Sequence, residues 1–454
     1  MAVNAVSNLA QKVMGDQPTS ITSSHTNVSR QEALESGETM KALTWQGKFD
    51  VRIKDMPKPK VMEDHDAVIK VTGSTVCGSD LHLLHGDILQ LQPDDILGHE
   101  GMGIVESVGK GVKNLKVGDR VVASFSIGCG ECPFCKDQLG SMCEKTNSSS
   151  VMKTLYGQNF SGLLGYSHFA GGYAGCQAEY FRSPYADYNL LKIPEGIPDE
   201  KVMFLSDIVC TSFHSVVDVD FQPGSTAAIW GAGPIGLNVA QWLKRCFGAK
   251  RVVIIDAVQN RLEFAKEKIG VEVLNRDGMS SQEIVKKLYE MEELGWQYSF
   301  DTAGFRYAQS IAHKAMRAMA LETDTPETLN ECITATRKHG RISIAADYAG
   351  LANGFNIGAL MEKGIMLKGN GQAPAQKYMK KLLEEYIAPG KFDPTLILTH
   401  RFDLSQMDQL YHAFDQKKTD KNSGVGVLKT FVQTKFSSPP GPGMPQLSDI
   451  NVLQ

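Results

Sequence analysis

Four cysteines crowd one short stretch of the chain, Cys129-Gly-Glu-Cys132-Pro-Phe-Cys135 followed by Cys143. Thiolates at that spacing can surround one tetrahedral zinc, and four protein ligands leave no open position, so such a site stabilises a loop and does no chemistry. The chain has nine cysteines, an odd number with a clustered placement, which is not the pattern of a secreted disulfide framework. A second set is dispersed: Cys77 in Val76-Cys77-Gly78-Ser79-Asp80-Leu81-His82, then Gly98-His99-Glu100, then Leu205-Ser206-Asp207. Singly each has an ordinary reading, a buried Cys or His as core filling and an Asp before an apolar helix as its cap. Their order, a Cys, then Gly-His-Glu, then the cysteine-rich loop and a glycine-rich loop, makes them candidates for a metal site that does chemistry.

The glycine-rich loop is Gly231-Ala-Gly233-Pro234-Ile235-Gly236, a GxGxxG pattern between an apolar strand and a helix, with Asp256 about 20 residues further on. Gly231 permits the tight turn, Gly233 lets the backbone approach a pyrophosphate, and Gly236 lets the helix pack closely on the sheet, so the phosphates meet the positive end of that helix. Asp256 can accept hydrogen bonds from the adenosine ribose, and its charge would repel a 2′-phosphate, which favours NAD over NADP. Arg261 reads either as a basic residue over the ribose or as a solvated helix residue.

The elements that must position these residues follow from hydrophobic period. Beyond residue 225 apolar strands alternate with amphipathic helices, the grammar of a parallel sheet covered on both faces. Six strands are predicted, at 225–230, 251–255, 271–274, 297–300, 341–345 and 365–369, the count of a complete dinucleotide fold. After the fourth strand, 305–325 is an extra segment with helical character around 313–319.

From about residue 40 to 432 the sequence resembles the zinc-containing medium-chain alcohol dehydrogenases, most visibly in Gly98-His-Glu-Gly-Met-Gly-Ile-Val-Glu-Ser-Val-Gly-Lys-Gly-Val-Lys-Asn-Leu-Lys-Val-Gly-Asp-Arg-Val121. Many members hold the catalytic zinc with two Cys and one His. Here Phe204-Leu-Ser-Asp207-Ile-Val-Cys210 is similar to the branch that includes glutathione-independent formaldehyde dehydrogenases, in which an aspartate replaces one cysteine. The resemblance implies a catalytic zinc on Cys77, His99 and Asp207, with Cys210 the rival third ligand and Glu100 in support. It implies a second, structural zinc on Cys129, Cys132, Cys135 and Cys143, and a proton relay through Ser79 and His82.

The fold implied is α/β: a GroES-like, β-rich catalytic domain over 40–204, completed by 373–435, and a Rossmann NAD-binding domain with a six-stranded parallel sheet over 205–372. The arm 1–39 is expected to be loose, and the Pro- and Gly-rich tail 436–454 extended, with docking at a subunit interface as the alternative. The activity implied is hydride transfer between an alcohol or hydrated aldehyde and NAD, with zinc as Lewis acid. An aldehyde dismutase with tightly held NAD is the alternative, motivated by the 305–325 insertion, and a non-catalytic scaffold the third reading. One departure is that Val425 stands near the place where many relatives carry a basic residue for the pyrophosphate.

Composition narrows the partners. The 47 Lys+Arg against 51 Asp+Glu give a net charge of -4 and no basic stripe to follow nucleic acid. No stretch approaches the roughly 20 apolar residues of a membrane span. The first forty residues lack an apolar secretory core, and the expectation is a cytoplasmic homo-oligomer, a dimer or tetramer, acting on a small molecule.

Overall fold

The computed structural model describes residues 37–303, 324–348, 350–421 and 426–454. The expected arm therefore lies almost wholly outside the described residues, as do the helical segment at 313–319 and Val425. The chain divides into two compact units, Met1–Cys210 with Pro374–Gln454, and Thr211–Ala373.

The first unit opens with an antiparallel hairpin of β1 (Thr39–Gly47) and β2 (Asp50–Pro57). β3 (Ala67–Ser74) reads AVIKVTGS, and all but Lys70 of it is buried. Its β-branched residues suit a strand packed on both faces. Helix α1 (Gly78–Leu84) follows, then β4 (Gly101–Val108) and β5 (Arg120–Ala123), antiparallel in turn. A short pair, β6 (Ser126–Ile127) and β7 (Gly162–Leu163), flanks the cysteine-rich loop. β8 (Tyr180–Ser183) adds to β3 and β9 (Leu190–Lys192) to β5. Ile69, Val71, Val105, Val121 and Phe181 form a shared core. The divide between the units falls inside helix α2 (Ile208–Val217).

The second unit is a sheet of β10 (Thr226–Trp230), β11 (Arg251–Asp256), β12 (Glu272–Asn275), β13 (Trp296–Asp301), β14 (Thr336–Ile344) and β15 (Met366–Gly369), in the order β12-β11-β10-β13-β14-β15. Every pairing is parallel. This is the doubly wound dinucleotide order, with ligands expected at the strand ends where the order reverses. The central strand β10 reads TAAIW without alternation and is wholly buried, as a strand covered on both faces must be. Helix α3 (Pro234–Arg245) follows β10 directly, with Pro234 at its first position and Lys244 and Arg245 in its last turn, both favourable placements for a helix. Helices α4 (Ser281–Met291) and α5 (Glu327–Ala335) bury Ile284, Leu288 and Ile333 against Trp230 and Ile342.

The chain then returns to the first unit with β16 (Leu398–Asp403), helix α6 (Met407–Asp415) and β17 (Lys429–Gln433). These complete a seven-stranded sheet ordered β16-β17-β3-β4-β5-β9, with β8 against β3. The tail, expected to be extended or else docked at a subunit interface, packs on its own unit. The buried guanidinium of Arg401 donates to Ser438 O at 2.7 Å and to Glu200 Oε1 at 2.7 Å, and Ser448 N donates back to Arg401 O at 2.9 Å. Ile450 and Leu453 are buried in one core cluster with Phe402 and Tyr411. Proline and glycine deny the tail a helix of its own, but its last apolar residues and a buried arginine in need of acceptors tie it down.

Candidate functional site

Three separate turns carry the dispersed set. Cys77 is the N-cap of α1, His99 and Glu100 immediately precede β4, and Asp207 stands between a short turn at Met203–Ser206 and α2. The potential ligand atoms of Cys77, His99, Glu100 and Asp207 all lie within 4.8 Å of one another. His99 Nε2 is 3.4 Å from Asp207 Oδ2, 3.4 Å from Ser79 Oγ and 3.9 Å from Glu100 Oε1. Its other nitrogen, Nδ1, is 3.2 Å from Asp80 Oδ1.

The donor set has the charge of a cation site. Burial lowers the pKa of His99, but Asp80 and then Asp207 raise it, and the balance stands well above the ordinary imidazole value. Burial raises the carboxyl of Glu100; Lys429 opposes this and Asp207 adds to it, leaving it above the usual carboxylate range. Glu100 Oε2 is buried without a hydrogen-bond partner, while Oε1 contacts Lys429 Nζ, which also donates to Val76 O at 3.2 Å. A half-buried thiol and three carboxylates thus face one buried imidazole, an arrangement that zinc, with its N, S and O ligands, would offset.

Cys210 is not among the gathered atoms. Its buried thiol donates to Leu205 O at 3.1 Å, and burial pushes its pKa well up. Ser79 and His82 are both on α1, three residues apart and hence on neighbouring positions of one face. Asp80, Lys429 and Gln177 were not assigned from sequence. Asp80 had a readable signal, a carboxylate three residues into a helix, and it forms a capping box by accepting from Cys77 N at 2.8 Å. Lys429 and Gln177 carry no local signal.

Cys129, Cys132, Cys135 and Cys143 come together on their loop, all buried, none in a disulfide, with their sulfurs within 4.8 Å of one another. Cys129 and Cys135 are 4.0 Å apart and Cys132 and Cys143 3.9 Å. A tetrahedron with Zn–S near 2.3 Å has edges of about 3.8 Å, so the spacing fits one zinc and is far too long for an S–S bond. Backbone N–H groups of Glu131, Cys132 and Lys145 point at Cys129 and Cys143 at 3.3–3.4 Å. A hydrogen bond from Cys135 draws Cys143 down to about 4. The same bond, with burial, drives Cys135 up.

In the second unit the glycine loop has the expected form. Gly231 has φ +103, and a Cβ there would lie 2.9 Å from Thr302 O; a Cβ on Gly236 would lie 1.9 Å from Gly231 O. Gly233 is different: its φ is -78, and a Cβ there meets nothing within 4 Å. Among the described residues nothing requires glycine at that position, whereas a pyrophosphate cradle would. Pro234 and Ile235 begin α3 beside it, half-buried. Asp256 ends β11, where Oδ2 accepts from Ala232 N at 2.6 Å and Oδ1 from Val258 N at 2.8 Å. It thus ties down the glycine loop, a duty not read from sequence. Arg261 is half-buried on the helix Gln259–Phe264.

The chain matches the family description "Alcohol dehydrogenase GroES-like domain" over residues 63–195 and "Zinc-binding dehydrogenase" over 234–321. It is 40% identical to a zinc-type alcohol dehydrogenase-like protein of Schizosaccharomyces pombe over 84% of this chain and 90% of that one. It is 32% identical to a glutathione-independent formaldehyde dehydrogenase of Pseudomonas aeruginosa, over 76% of this chain and 87% of that one. Among solved structures, an alcohol dehydrogenase of Thermus sp. ATN1 superposes with a TM-score of 0.71 at 28% identity, covering 87% of this chain and 100% of the other.

Proposed function

Because the chain belongs to the zinc-type alcohol dehydrogenases of the medium-chain family, a family of oxidoreductases, we propose that it interconverts a small alcohol and its aldehyde, or oxidises a hydrated aldehyde, by hydride exchange with NAD. The observation that carries this reading is the gathering of Cys77, His99, Glu100 and Asp207 within 4.8 Å. Cys77, His99 and Asp207 would hold the catalytic zinc, a three-ligand set of the kind that catalytic rather than structural zinc takes. Zinc bound there supplies Lewis-acid polarisation of the substrate oxygen. A carboxylate gives the metal less electron density than a thiolate would, which suits the binding of a hydrate or alcohol oxygen. Support for an aldehyde substrate comes from the likeness to a glutathione-independent formaldehyde dehydrogenase.

Glu100 stands beside the ligands and is held by Lys429, which balances its charge in the dry interior. Ser79 Oγ, 3.4 Å from His99 Nε2, is the inner member of the proton relay, and His82 carries the proton onward from the same helix face. Gly231, Gly233 and Gly236 with the start of α3 receive the pyrophosphate, and Asp256 takes the ribose hydroxyls on the lone pairs its loop bonds leave free. The four-cysteine loop holds a second, structural zinc.

The test is a panel of primary alcohols and their aldehydes, assayed with NAD and with NADP on protein of known zinc content. The reading expects NADH formation from at least one short alcohol or hydrated aldehyde and a clear preference for NAD. Zinc-replete protein inert across the panel, or one preferring NADP, contradicts it.

A further inference from the structure

We propose that Gln177 and Tyr411 are positioning residues for the catalytic metal ligands, acting through Asp80. The proposal rests on the reading of Cys77 and His99 as ligands. Asp80 divides its two oxygens: Oδ2 accepts from Cys77 N at 2.8 Å and from Gln177 Nε2 at 3.2 Å, while Oδ1 lies 3.2 Å from His99 Nδ1. One carboxylate therefore touches the backbone of one ligand and the ring of another. The charge of Oδ1 beside Nδ1 favours the proton on that nitrogen and leaves the Nε2 lone pair for a metal, so the position of Asp80 constrains the ring of His99.

Gln177 is what fixes Asp80. Its backbone is bonded on both sides, N to Leu97 O at 3.0 Å and O from Leu43 N at 2.8 Å. Its Nε2 also donates to Thr75 O at 2.9 Å. Its Oε1 accepts from Tyr411 OH at 2.7 Å. An amide has its acceptor at one end and its donors at the other; Thr75 O and Asp80 Oδ2 only accept and so hold Nε2 on their side, which leaves Oε1 to take the tyrosine hydroxyl. Gln177, Tyr411 and Asp80 are at most 1% exposed, and no bulk water is at hand to replace a lost bond. Tyr411 lies on α6, packed in the cluster that also holds Ile450 and Leu453. The returning C-terminal segment thus reaches the metal ligands through a chain of four side chains, Tyr411, Gln177, Asp80 and His99.

The variants are Gln177→Met, of similar shape but unable to bond, and Tyr411→Phe, which removes one hydroxyl. Each is loaded with zinc, and release to the chelator 4-(2-pyridylazo)resorcinol is followed, the four-cysteine metal serving as internal reference. The visible spectrum of cobalt(II)-loaded protein is recorded alongside. Expected is release of the catalytic zinc roughly 10- to 100-fold faster in Gln177→Met, a change of the same sign in Tyr411→Phe, shifted cobalt bands, and unchanged release from the four cysteines. Wild-type release and wild-type cobalt bands in folded variants overturn the proposal. If Gln177→Met does not fold, Tyr411→Phe decides it on the same two readouts. A wild type that binds metal only at the four cysteines refutes the underlying ligand assignment, an outcome distinct from the first.

Discussion

Alanine at Gly233 and alanine at Gly236 should fail in opposite ways, although the two glycines belong to one loop. At Gly236 the new Cβ would fall 1.9 Å from Gly231 O and 2.7 Å from Thr302 Oγ1. The nearer atom is backbone and cannot swing aside, so the helix must move off the sheet; overpacking of this kind costs about 1–3 kcal/mol. For a unit of this size that lowers the melting temperature by roughly 2–12 °C. At Gly233 nothing lies within 4 Å of the new Cβ and φ is -78, a value any residue adopts. The cost in stability is then at most about 1 kcal/mol, from a poorer helix cap. The methyl group would occupy the pyrophosphate face, and loss of one hydrogen bond to a charged group, about 1.5–3 kcal/mol, weakens NADH binding roughly 10- to 100-fold. Scanning calorimetry and fluorescence titration with NADH on both variants of the full chain separate the effects. Wild-type NADH affinity in Gly233→Ala, or wild-type melting of Gly236→Ala, refutes the reasoning.

Asp256→Ala removes both the repulsion of a 2′-phosphate and the acceptor for Ala232 N and Val258 N. Affinity for NAD should fall and the NAD-to-NADP ratio of kcat/KM should drop roughly tenfold, the equivalent of about 1.4 kcal/mol; an unchanged ratio contradicts this. Truncation after Ser437 strips Ile450 and Leu453 from the core and leaves the Arg401 guanidinium without Ser438 O. At about 1.5–3 kcal/mol per buried apolar side chain, an upper bound, thermal unfolding of the first unit should come markedly earlier, and equal melting of the truncated and full chains contradicts it.

What was legible in the sequence was what is local or periodic. The six strands of the second unit stand close to the expected runs, except that β14 begins at Thr336 rather than 341; the run of the central strand β10 is continuous because both its faces are covered. The glycine loop is likewise legible, since each glycine answers a constraint within a few residues. The cysteine-rich loop comes together for the same reason. The dispersed set was different: nothing in Cys77, His99 and Asp207 themselves says that they meet, and only the resemblance brought Asp207 forward over Cys210. Lys429, Gln177 and Tyr411 were illegible because their partners, Glu100, Asp80 and Gln177 respectively, lie scores or hundreds of residues away, and the bonds exist only once β17, α6 and the segment before β8 have packed. The packing of the tail was illegible for a related reason. Its composition argues against regular structure, which it lacks, but not against docking, which depends on the buried guanidinium of Arg401 in another part of the chain.

The central claim, that three residues including an aspartate hold the catalytic metal while four cysteines hold a second, is tested most directly by zinc content per chain in the wild type, Asp207→Ala and Cys210→Ala. The separation of the two clusters into distinct donor sets predicts two zinc ions in the wild type. Removal of Asp207 leaves the catalytic metal with two protein ligands and should reduce the content to one, with the four-cysteine site still filled and activity lost. Removal of the Cys210 thiol, bonded to Leu205 O and outside the cluster, should leave two. Zinc lost from Cys210→Ala and kept in Asp207→Ala would contradict the account and transfer the third ligand position to the cysteine.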